Sequence, residues 1–123
     1  MSCMRAVLIA LVLVFSACTD TTLADDTAYR RLGDQYTSYD QCIADGDFNP
    51  CYQTLTLCAN GRVFMDLENA PQEGSYQLAN DTAVAKFTTR TVVFDLSHAT
   101  STQLPGVHPW EFITPIFYGC DVK

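Results

Sequence analysis

The chain carries no Gly-x-Ser-x-Gly, no His-Glu-x-x-His and no Cys-x-x-Cys. The first two absences remove the serine-hydrolase elbow and the zinc-protease helix. The third removes the usual ligand pair of a structural zinc site. Histidine is scarce: His98 and His108 are the only two, and both read as loop residues exposed to solvent. Basic residues are outnumbered, with 7 Lys and Arg against 14 Asp and Glu and a formal net charge of −7. Such a surface repels nucleic acid and anionic lipid headgroups. Scattered acids could pair for glycoside hydrolysis, but almost any acidic domain offers such pairs. The expectation is a non-catalytic protein without cofactor or metal. No apolar run is long: Ala6 to Phe15 is about ten residues, against the roughly 20 a helix needs to span a bilayer.

That short run is nevertheless informative. Met1 to Arg5 carries one positive charge and no acid, and small residues Ser16 and Ala17 follow the apolar stretch. A charged start, a short apolar core and small residues make an export signal. Val14-Phe15-Ser16-Ala17-Cys18-Thr19 resembles the lipobox of bacterial envelope lipoproteins, with Phe15 where the family usually has an aliphatic residue. The resemblance implies that residues 1–17 are removed and that Cys18 becomes the acylated N-terminus. Stable anchoring takes more than one lipid chain, and the family's processing supplies several. Thr19 rather than an acid after the cysteine implies, by the family's sorting tendency, the outer membrane facing the periplasm. The competing reading is plain secretion, with cleavage at Thr22-Leu23-Ala24, a mature chain beginning at Asp25 and a soluble periplasmic or secreted product. Residues 18–28 are polar, acidic and non-periodic, and read as a flexible tether.

Residues 29–123 suit one domain. A core that small is only modestly stable unaided, and export permits disulfide staples. Cys42, Cys51, Cys58 and Cys120 remain once Cys3 and Cys18 are assigned to the signal and the anchor. Four cysteines allow three pairings. Tyr52 to Ala59 reads as a strand, which would hold Cys51 and Cys58 roughly 20 Å apart, and that pairing is excluded. Two survive: Cys42–Cys51 with Cys58–Cys120, and Cys42–Cys58 with Cys51–Cys120. The former is preferred, because its first bond closes a turn-rich loop, Asp45 to Pro50, and its second pins the C-terminal segment to the sheet. Asp45-x-Asp47-x-Asn49 has the oxygen spacing of a calcium loop, but Pro50 and Thr56 replace the glycine and glutamate that the motif requires. A disulfide-closed turn is the better reading.

The rest alternates. Asn60-Gly61 marks a hairpin. A three-residue loop, Ala59 to Gly61, puts Leu55, Leu57, Val63, Met65 and Leu67 on one face, and a one-residue slip would scramble them. Gly61 is then expected to be left-handed. Phe64 falls on the polar face beside Cys58 and needs a cover, for which the C-terminal segment is the candidate. Gly74 to Phe87 forms a second hairpin turning at Asn80-Asp81, with Tyr76, Leu78, Ala83, Ala85 and Phe87 inward. Thr91 to Ser97 is a further strand, with Val92, Phe94 and Leu96 inward. Trp110 to Ile113 and Ile116 to Tyr118 read as short edge strands. Tyr29 to Tyr39 is ambiguous between a helical turn at Arg30-Arg31-Leu32 and a strand over Gln35 to Tyr39. The fold expected is all-β, a small antiparallel meander closing into a barrel or sandwich. A strand, an Asn-Gly hairpin and then Gly74-Ser75-Tyr76-Gln77-Leu78 resemble the lipocalin-like barrels of envelope lipoproteins, over about half the chain.

Trp110, Phe112, Phe117 and Tyr118 form an aromatic cluster, either closing the core or serving as a contact patch. Three functions remain open: a binder of another macromolecule, in particular a basic protein such as a wall hydrolase or toxin that opposite charge would attract; a small-ligand carrier or sensor; and a passive envelope component.

Overall fold

The structure, a computed structural model, describes residues 21–45, 51–67, 70–114 and 120. The strands are β1 (Thr27–Leu32), β2 (Tyr52–Leu57), β3 (Arg62–Leu67), β4 (Ala70–Ala79), β5 (Thr82–Lys86), β6 (Thr91–Asp95) and β7 (Glu111–Ile113), with one short helix, α1 (Tyr39–Asp45), between β1 and β2. β1 to β6 run as an antiparallel meander. β7 returns to the free side of β1, giving the order β6-β5-β4-β3-β2-β1-β7. The molecule is thus all-β, as the alternation of the sequence predicts.

The sheet curls into a half-barrel. In a flat sheet β1 and β6 would lie about 24 Å apart, since neighbouring strands are spaced at about 4.8 Å. Yet the rings of Tyr29 on β1 and Phe94 on β6 are 4.8 Å apart between centroids. Side chains, not hydrogen bonds, close the gap. Leu55, Leu57, Val63, Met65, Tyr76, Ala83, Ala85, Phe87 and Val92 fill the concave side. Leu104 and Trp110 plug it from the loop that follows β6, with Trp110 edge-on to Phe94 at 6.1 Å.

Turn chemistry sets the register. Leu57 pairs with Val63, and the Gly61 N–H and Cys58 N–H bond to Cys58 O and Arg62 O at 2.9 Å each. This is the three-residue loop expected, and Gly61 has φ +93°. Asn80, at φ 60°, opens the two-residue turn between Ala79 and Thr82, a conformation asparagine tolerates. Gly74 is where β4 passes the end of β5. A Cβ there would lie 2.1 Å from the Lys86 carbonyl oxygen.

Four expectations need correction. β1 begins at Thr27, inside the stretch read as a tether, and Ala28 is buried; the folded domain therefore starts earlier. The ambiguous segment resolves the other way round, with strand at Thr27–Leu32 and helix at Tyr39–Asp45. Arg31, an inward-facing charge, hides the strand's alternation. Ser38 caps the helix, its Oγ accepting from Gln41 N–H at 3.1 Å. β4 starts at Ala70 rather than Gly74. Pro71 is tolerated because β5 pairs only from Ser75 onward, leaving that side of Pro71 without a partner strand. β6 stops at Asp95, whose carboxylate accepts from the N–H groups of Ser97 and His98 at 3.0 and 3.2 Å and turns the chain. The expected edge strand Ile116 to Tyr118 lies outside the described residues.

The half-barrel has two distinct ends. The proximal end, where the described chain enters, holds the turns at Ala59–Gly61, Asn80-Asp81 and 96–99. The distal end holds Leu32, paired with Tyr52, and α1.

Candidate functional site

Cys42 pairs with Cys51 and Cys58 with Cys120, with Cα separations of 5.8 and 5.5 Å. The first bond ties α1 to the start of β2 at the distal end. The second ties the C-terminal end of the chain to the proximal end of the sheet. Ala28, Thr56 and Cys58, on the outer face there, are buried as well. Phe64 is half-buried with the Arg62 guanidinium 5.0 Å over its ring; its expected cover, the C-terminal segment after residue 114, lies outside the described residues apart from Cys120. Two disulfides suit an oxidising extracellular or periplasmic compartment. Among the described residues no helix is long and apolar enough to cross a membrane.

The aromatic cluster splits. Trp110 is 6 % exposed and belongs to the core, so it is not available as a contact anchor. It is held there by Phe94 and by the Arg31 guanidinium, 4.5 Å over the indole ring. Phe112 is 60 % exposed on the β7 edge, with Tyr29 edge-on at 6.0 Å. Phe117 and Tyr118 lie outside the described residues, as do Cys18 and most of the Asp45-x-Asp47-x-Asn49 stretch. His98 is exposed and bonds through Nδ1 to Asp95 Oδ2 at 3.0 Å. His108 is half-buried and meets Tyr36 O through Nε2 at 2.7 Å. Asp26, Cys58 and Cys120 bring three potential ligand atoms within 4.8 Å of one another. Both sulfurs are committed to the disulfide, so the trio offers one carboxylate rather than a metal site.

Arg31 is a residue the sequence did not single out. It is 5 % exposed. Its Nε donates to Gln53 Oε1 at 2.6 Å, Nη1 to Leu104 O at 2.8 Å and Nη2 to Pro105 O at 3.2 Å. One guanidinium thus locks the plug loop onto β1 and β2.

Exposed apolar side chains set the distal end apart. Val107 is 72 %, Ile43 56 % and Tyr39 48 % exposed. Tyr39 and Ile43 are four residues apart on α1 and share a face. Tyr39 stacks on Tyr52 at 5.6 Å, Tyr52 carries the Arg30 guanidinium at 4.1 Å, and Arg30 pairs with Glu111 at 3.1 Å. The aromatic face of α1 is thereby fixed to the sheet. Asp40 and Asp45 are exposed on the same helix, and exposed Asp34 lies against Val107, its Oδ1 accepting from Val107 N–H at 3.0 Å. The i, i+4 pair was present in the sequence, but a helix had to be recognised first.

At the proximal end the entering chain is attached at several points. Thr21 O accepts from Leu78 N–H at 2.7 Å. Leu23 packs against the core, and its N–H donates to the Tyr76 hydroxyl at 3.0 Å. That hydroxyl donates to Cys58 O at 2.7 Å. Burial pushes the Tyr76 hydroxyl pKa above its ordinary value, the Leu23 bond opposes the rise, and nearby Asp26 adds to it. Asp26 Oδ1 also accepts from Ala59 N–H at 2.7 Å. An open groove of about 580 Å³ runs beside this segment on the outer face of β4 and β5, lined by Thr22, Gly61, Gln77, Val84 and Lys86 among others.

Compared with protein-family models, curated proteins and solved structures, the chain matches none.

Proposed function

We propose that this chain is a lipid-anchored, non-catalytic protein of the bacterial envelope, acylated at Cys18 and held at the outer membrane facing the periplasm. Its distal end binds a basic protein. The observation that carries the binding half is the distal surface, where Tyr39, Ile43 and Val107 are exposed among Asp34, Asp40 and Asp45. Exposed apolar anchors next to carboxylates fit a partner of the opposite sign. The apolar residues supply the affinity and the charges speed and orient the encounter. A net charge of −7 on the full chain points the same way. Removal of residues 1–17 takes away Arg5 and no acid, so the mature chain is one unit more negative.

Two observations support the anchoring half. The disulfides suit an exported protein. The attachment of Thr21 and Leu23 to β4 favours cleavage upstream of them over cleavage after Ala24, which would strip both from the fold. The carrier reading finds less support. Tyr29, Met65, Phe94 and Trp110 occupy the concave side where a lipocalin-like ligand would sit.

The test is capture of partners from envelope and extracellular extracts with the mature domain at two salt concentrations. A basic protein should be enriched at low salt and released at high salt. Ile43→Ser and Asp45→Lys, the latter at the exposed C-terminal end of α1 where a cation suits the helix, should each weaken its capture without lowering the melting temperature. If no basic protein is enriched at low salt, the binding half is wrong. Palmitate labelling of wild type but not of Cys18→Ala tests the anchor separately.

A further inference from the structure

We infer that the proximal end of the half-barrel rests on the lipid headgroups, so that the domain is held in one orientation with its distal end turned away from the membrane. The inference rests on the lipid-anchor reading of Cys18 and adds to it a geometric constraint. A tether from Cys18 to Ala28 would let the domain tumble freely. The structure removes most of that length. The chain is already fastened at Thr21 through Leu78 N–H, at Leu23 through Tyr76, and at Asp26 through Ala59 N–H. Only Thr19 and Asp20 separate the acylated residue from the first fastened one. Three Cα steps reach about 11 Å at full extension. β4 alone, at ten residues, is about 33 Å long.

A leash a third the length of the body it holds does not let that body invert, so the proximal end stays at the surface and the distal end cannot replace it there. The cysteine of a lipoprotein sits where the acyl chains enter the interface, and the headgroup layer is only about 5–8 Å deep. The turns at Asn60-Gly61, Asn80-Asp81 and Ser97-His98 therefore meet it. They are polar, and Asp25, Asp26, Asp81 and Asp95 lie at the same end. The surface that fits is a zwitterionic one such as phosphatidylethanolamine, because anionic headgroups would repel these carboxylates. The orientation follows from the short leash rather than from affinity of the domain for lipid.

The experiment uses the full mature, acylated protein in phosphatidylethanolamine/phosphatidylcholine nanodiscs doped with a headgroup nitroxide lipid. Paramagnetic broadening is read at each backbone amide. Amides of residues 60–61, 80–82 and 96–98 should broaden at least about tenfold more than those of 34–43, which lie beyond the far end of β1. Insertion of a Gly/Ser segment of about 20 residues between Thr19 and Asp20 should even out the pattern while leaving acylation and folding intact. Even broadening in the acylated wild type would overturn the orientation but leave the anchor standing. A pattern that survives the insertion would overturn the short-leash cause. A chain that mass spectrometry finds unacylated at Cys18 would overturn the anchor itself, and the orientation with it.

Discussion

Arg31 shows how one side chain can hold two parts of a small fold together. Its fork reaches Gln53 on β2 and two carbonyls of the plug loop, and its face covers Trp110. Burying a charge is costly unless hydrogen bonds replace water, and here they do. Arg31→Met retains much of the volume but takes the donor from the buried Leu104 carbonyl and from the part-buried Pro105 carbonyl. The expected loss is about 2–4 kcal/mol in urea unfolding. Arg31→Lys should lose roughly half as much, because an ammonium cannot serve three acceptors in one plane. Asp95 acts at the other end of the same loop. The Ser97 hydroxyl first, then the His98 side chain and N–H, hold its carboxyl below the ordinary carboxylate range. A depressed carboxyl stabilises the turn above the ordinary carboxylate pKa and loses that contribution as pH falls through its lowered value. The side-chain carboxyl carbon shift of Asp95 should therefore show its own protonation step only below the ordinary carboxylate range. Asp95→Asn should abolish that titration.

At the scale of elements, the two disulfides do unequal work. The Cys58–Cys120 bond spans 62 residues and the Cys42–Cys51 bond 9. Loop-closure entropy makes them worth roughly 4 and roughly 2.5 kcal/mol respectively. The double variant Cys58→Ala/Cys120→Ala should thus unfold at distinctly lower urea than Cys42→Ala/Cys51→Ala. The reverse order would mean that α1 matters more to the fold than the C-terminal clamp. How much of this architecture the sequence discloses follows the same logic of local against distant causes. β2, β3, β5 and β6 are legible because each alternates cleanly and is bounded by its own turn signal, as at Asn60-Gly61. β1 is not legible, because Arg31 faces inward only by virtue of partners about 22 and 73 residues away. The first half of β4 is masked by Pro71 and Gly74, both allowed by where β5 happens to end. For the candidate site, Phe112 is found on the surface and Trp110 in the core, a division that depends on how β7 sits beside β1. No local pattern distinguishes the two. The distal patch needed α1 to be recognised, and a helix of seven residues leaves little periodicity to read.

For the whole molecule, the governing question is where the folded body begins. The two processing schemes give chains that differ by residues 18–24, a stretch that on composition alone looks dispensable. In the structure it is not. Leu23 contributes apolar surface to the core, and the Thr21 carbonyl and Leu23 N–H each satisfy a group on β4. Its removal leaves the Leu78 N–H and the Tyr76 hydroxyl without those partners and takes Leu23 away from the core. Partial burial of one leucine and two hydrogen bonds sum to about 2–4 kcal/mol. A soluble chain of residues 19–123 should therefore unfold at clearly higher urea than one of residues 25–123, with both disulfides formed in each. The same comparison bears on biology. If the shorter chain is the weaker one, processing after Ala24 would discard stability that a small domain can ill spare. If the two unfold together, the entering segment adds nothing. The leash from Cys18 is then long again, and neither a fixed orientation at the membrane nor an outward-facing distal patch follows from the fold.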